Sequence, residues 1–219
     1  MATKRAKTAE AQDPLQYARR LEELIAELCV EAMSFAARSK VEETAYQWLG
    51  GPDLDPDDPR SVDAVAEALL RALEIATFAP SFTGTTAIDR LARRRKSADG
   101  EARAALEALK QASFRILRIS SPERQGLHRV EDLVTCEAFS ILADEIPAAA
   151  VGLSNAERLC PLPSGNFVIA GPLTPLDDGA LEVATGFARS GRGFANPERA
   201  AQRLSIGMSC AMALCKSPH

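Results

Sequence analysis

Four residues within nine positions, His128, Glu131, Asp132 and Cys136, bring together an imidazole, two carboxylates and a thiol. Those are the parts of a nucleophilic site, in which a base activates a thiol and a carboxylate orients the base. Their spacing argues against that use. Alternation on a strand places His128 and Asp132 on one face and Glu131 on the other, with Cys136 beyond a turn at Thr135. Nothing in the spacing fixes a Cys–His hydrogen bond. The expectation is that Asp132 caps a turn and that Cys136 is a small buried residue. A thiol-dependent or hydrolytic enzyme built on His128 and Cys136 stands as a secondary alternative, tested by whether Cys136 reacts with thiol reagents faster than Cys29 or Cys160.

The strongest local charge is the run Arg90, Arg93, Arg94, Arg95 and Lys96, preceded by Thr83-Gly84-Thr85-Thr86. Clustered arginines neutralise phosphates, so this run is the candidate nucleic-acid contact, with the basic arm Lys4, Arg5 and Lys7 as an accessory. The plainer account is a solvated helix C-terminus, where the dipole favours positive charge. No aromatic residues interleave with the run to stack bases, and no helix-turn-helix pattern accompanies it. The Thr-Gly-Thr-Thr segment lacks the spacing of a phosphate-binding loop and follows no strand, so it is expected to be a helix cap.

No metal or cofactor is expected. The acidic stretch Asp53-Leu54-Asp55-Pro56-Asp57-Asp58-Pro59 lacks the central glycine and terminal glutamate of a calcium loop. Five cysteines, no Cys-x-x-Cys pair and two histidines give little support for zinc. The Ser190-Gly191-Arg192-Gly193 segment is expected to be a loop spacer. The odd cysteine count suggests reduced thiols. No apolar core follows the charged N-terminus, and the stretch from Ile206 to Cys215 is too short to span a bilayer. The expected location is therefore cytoplasmic. The formal net charge of −4 is shared by both halves of the chain, so any electrostatic recognition must be local.

The elements that would position these residues divide near Gln111. Residues 1–12 are polar and expected to be a disordered arm. Residues 13–112 are expected to be helical. Asp13-Pro14 starts the first helix, whose stripe of Leu21, Leu24, Ile25, Leu28, Ala32 and Phe35 recurs every three or four residues. A break is expected near Ser39, with Tyr46 and Trp48 as core anchors beyond it. A helix from Pro59 to about Thr77 has Val62, Val65, Ala66, Leu69, Leu73 and Ala76 as its expected buried stripe. Helices over Ala87–Lys96 and about Glu101–Ala112 follow.

From residue 113 the pattern becomes strand-like. Five segments, Phe114–Ile119, Leu127–Val134, Phe139–Leu142, Leu153–Leu159 and Asn166–Ala170, are separated by turn residues at roughly ten-residue intervals. Pro147–Ala150 could add a helical turn. Thr174-Pro175 reads as an exit signal, and helices are expected from about Asp178 to Ala188 and from Asn196-Pro197 to about Leu214.

The expected fold class is α+β. A helical N-terminal half precedes a small antiparallel sheet or barrel over about 113–175, with C-terminal helices packed on it; residues 113–219 form the second unit. The favoured functional expectation is a non-catalytic binding or regulatory protein acting through protein contacts or through self-association along the first helix. A nucleic-acid-associated factor using Arg90–Lys96 is the alternative, and no membrane partner is expected.

Overall fold

The computed structural model describes residues 14–49, 59–81, 83–96, 98–123, 126–143, 146, 151–171, 174–179, 181–182 and 185–186. Five helices come first: α1 (Pro14–Met33), α2 (Arg38–Trp48), α3 (Pro59–Phe78), α4 (Ala87–Arg94) and α5 (Gly100–Lys110). Six strands follow: β1 (Ser113–Pro122), β2 (Leu127–Asp132), β3 (Ala138–Leu142), β4 (Ser154–Pro161), β5 (Phe167–Ile169) and β6 (Thr174–Leu176).

The strands close into a five-stranded mixed barrel in the order β1-β2-β3-β5-β4, with β4 returning to pair with β1. Four of the ring's pairings are antiparallel, but β3 and β5 run parallel, with Ile141 opposite Phe167. This corrects the purely antiparallel expectation. The chain cannot return from β3 to pair beside it again by a tight hairpin; β4 crosses to the far side of β1, and β5 then completes the ring. Strands β4, β1, β2 and β3 lie in the Greek-key order. Closure leaves no long free edge in the ring. Strand β6 adds to the edge of β4 beside β5, pairing Ser154 with Leu176.

Alternation sorts each strand into an inner and an outer face. Leu117, Ile119, Val130, Ile141 and Leu159 fill the barrel interior, with Phe139, Phe167 and Ile169 packed against them. The outer face of β3, β4 and β5 supplies Leu142, Cys160 and Val168. These join Leu21, Ile25, Leu28 and Ala32 of α1, Ile88 and Leu91 of α4, and Leu106 and Leu109 of α5 in the largest core cluster. The apolar stripe of α1 is thus buried inside its own chain, so it is not free to form a dimer seam.

Local signals explain the helix ends. The Thr86 side chain accepts from the Asp89 amide, and the Asp89 carboxylate accepts from the Thr86 amide, a reciprocal capping box. The expected cap therefore forms, at the last residue of Thr-Gly-Thr-Thr. Asp99 caps α5 through the Ala102 amide. The first break falls at residues 34–37, slightly earlier than Ser39.

Helix α3 departs most from expectation. Its closely buried residues are Ser61, Ala64, Ala68, Arg71, Ala72, Glu74 and Thr77. Ala68 and Ala72 pack with Val41 and Ala45 of α2. Val62, Leu69 and Leu70 are exposed instead, at 56%, 37% and 42%. The helix has two apolar stripes with the same period, and the alanines win the inner place because they allow the α2 backbone to approach. Tyr46 is also exposed rather than a core anchor.

Residues 178–179, 181–182 and 185–186 are helical, and Leu181 packs on Phe114, Ile116, Ala156 and Leu176. The N-terminal arm with Lys4, Arg5 and Lys7, the Asp53–Asp58 stretch, Pro147–Ala150, the Gly-Arg-Gly segment and the expected helix from Pro197 lie outside the described residues.

Candidate functional site

Helix α4 presents the basic run, and packing gives most of it structural work. The Arg90 guanidinium donates to the Phe35 carbonyl at 2.9 Å, tying α4 to the turn after α1. Arg94 lies over the Phe35 ring, 5.9 Å from its centre. Arg95 pairs with Glu31 of α1, and that hydrogen bond, aided by the Glu31 charge, raises the Arg95 pKa. Arg93 and Lys96 are exposed. Arg94 and Arg95 are exposed too, but Phe35 and Glu31 engage them, which leaves Arg93 and Lys96 as the unengaged charges of the run among the described residues. Two lysine and arginine side chains are a small footprint for phosphate binding.

The barrel brings a different group of polar residues together. Register places Arg115 opposite Glu157 and Leu117 opposite both Asn155 and Asp132. Since Leu117 points inward, Arg115, Asp132, Asn155 and Glu157 also face inward at this end of the barrel. The Arg115 guanidinium donates to Asp132 Oδ2 at 2.8 Å. Asp132 Oδ1 accepts from the Val134 and Thr135 amides at 2.8 and 3.0 Å. Asp132 therefore caps the β2–β3 turn as expected, and its carboxylate is fully occupied in doing so. Three donors thus hold this carboxylate in one place at the turn.

His128 and Asp132 share the inner face of β2, as the alternation requires, but His128 lies near the opposite end. Its ring Nε2 lies 3.0 Å from the Ala143 carbonyl. Cys136 sits in the turn at the Asp132 end and is exposed, which corrects the expectation of a buried residue. Four residues of extended strand, roughly 13 Å, separate the His128 position from Asp132 and the turn beyond it. No Cys–His pair forms. The exposure of Cys136 also makes it the fastest-reacting described thiol on access alone, so rapid modification no longer argues for catalysis. Among the described residues, no three His, Cys, Asp or Glu side chains come together to hold a metal ion. No described helix is long and apolar enough to cross a membrane.

A buried ion pair was not legible from spacing. Glu74 of α3 accepts from Arg158 Nε of β4 at 2.6 Å, and both side chains are almost wholly buried. The Arg158 guanidinium also lies 4.2 Å from the Phe78 ring centre and 5.9 Å from that of Phe114. The available signal was Glu157-Arg158, two consecutive charges in a strand whose faces are both covered, one pointing into the barrel and one toward the helices. This pair fastens α3 to the barrel.

What remains open is the outer stripe of α3. Val62, Ala66, Leu69 and Leu70 are exposed on consecutive turns. Val62, Ala66 and Leu69 recur at intervals of four and three, the spacing of a helix-packing seam, and Leu73, next in that series, is half-buried against the α2–α3 cluster. The chain was compared with protein-family models, curated proteins and solved structures, and it matches none of them.

Proposed function

We propose that this chain is a non-catalytic binding protein that acts through protein contacts, with the outer stripe of α3 as its docking surface. One observation carries the reading. A helix packed by alanines on one side shows a second apolar stripe, at seam spacing, to solvent. Helix α3 packs on α2, touches α1 and α4 and is tied to β4 through Glu74, and the side that carries Val62 and Leu69 is left exposed. An amphipathic helix laid along α3 through anchors at three- and four-residue spacing is the partner of matching shape.

A second reading has a specific observation in its favour. A five-stranded Greek-key barrel is the architecture of the oligonucleotide- and oligosaccharide-binding class, which uses the face of its second and third strands. That is an analogy of fold. On this face Arg118 and Arg129 are exposed, and Glu131 lies beside Arg118. The phenylalanines of β3 and β5 pack against each other inside the barrel, with ring centres 4.8 Å apart. Phe114, on the outer face of β1, is covered by its cluster with Leu181, so strands β1–β3 expose no aromatic ring as a stacking platform, which places this reading second.

The deciding experiment is capture of binding partners by the purified full chain, with and without nuclease, comparing the parent with L69D, with R118A/R129A and with R93A/K96A. Protein partners that survive nuclease and are lost in L69D support the docking reading. Co-captured nucleic acid that falls steeply with salt and is lost in R118A/R129A replaces it with the second, and loss in R93A/K96A instead assigns the contact to the basic run of α4. The wider change of Arg93, Arg94 and Arg95 to alanine is a poor test, because it also removes the contacts of Arg94 and Arg95 to α1 and its turn.

A further inference from the structure

We draw no further inference here: the strongest candidate, the exposed apolar side of α3 at Val62, Ala66 and Leu69, belongs to the surface already described, and nothing among the described residues shows what covers it.

Discussion

Cys29 and Cys160 show how burial sets chemistry at the scale of single residues. One lies on α1 and the other on β4, in the same core cluster. Burial, then the charge of Glu74, pushes the Cys29 thiol up to about 11 from an ordinary 9.0. Burial, then Cys29, pushes Cys160 up to about 12. Thiolate is the reactive form, so both are inert despite their proximity to Arg158. A raised folded-state pKa means that the unfolded chain releases these protons first as pH rises. The stability they contribute is complete below about pH 9 and is lost on approach to pH 11–12. Denaturant unfolding should therefore weaken over that range, and the loss should be shallower in C29A/C160A than in the parent. Alkylation of the folded protein at neutral pH should modify Cys136 and leave Cys29 and Cys160 untouched.

At the scale of elements, the β2–β3 hairpin is defined by its turn. Asp132 holds two amides of that turn, and the Cys136 amide donates to the Asp132 carbonyl at 2.8 Å. Cys136 adopts φ 61°, the left-handed region, which is unfavourable for a side chain by about 1–2 kcal/mol. Glycine relieves that strain but gives up about 0.5–1 kcal/mol of chain entropy. C136G should thus stabilise the protein by up to about 1 kcal/mol, whereas the β-branched C136V should destabilise it. Urea midpoints of the two variants should move in opposite directions. Most element bounds were legible because each period was sustained, 3.6 in the helices and 2 in the strands. Strand β6 was not. Thr174-Pro175-Leu176 is three residues long with a central proline, a pattern of chain exit, and it pairs only because the edge of β4 beyond β5 was left unfilled.

At the scale of the whole molecule, a buried ion pair joins α3 to the barrel beside the packing of α3 on α1 and α4. Helices α1, α4 and α5 share a core with the outer wall of the barrel. Helices α2 and α3 have their own alanine-rich cluster. The Glu74–Arg158 pair, with Phe78 and Phe114 around the guanidinium, joins α3 to β4. Removing one partner of a buried pair leaves the other charge uncompensated, at a cost of about 3–5 kcal/mol. E74A should therefore lower stability by that order in urea unfolding. Hydrogen exchange should rise first in α2 and α3, ahead of the barrel amides, because Arg158 is the clasp between them. Equal acceleration throughout would show that the two clusters unfold as one.

The sequence alone determined the division into a helical half and a β half, the cap in Thr83–Thr86, five of the six strands, and the shared face of His128 and Asp132. Each of these depends on neighbours within a few residues, where period and capping chemistry act. Tertiary structure decided which of two equivalent stripes on α3 turns inward, which arginines of α4 are held by α1 and its turn, and that β3 and β5 pair in parallel. It also decided that Glu74 meets Arg158 from 84 residues away. Both stripes of α3 satisfy the same helical period, so local chemistry ranks them by side-chain size and favours leucine. The close approach of α2 ranks them by how little room they take, and that preference exists only once the helices meet.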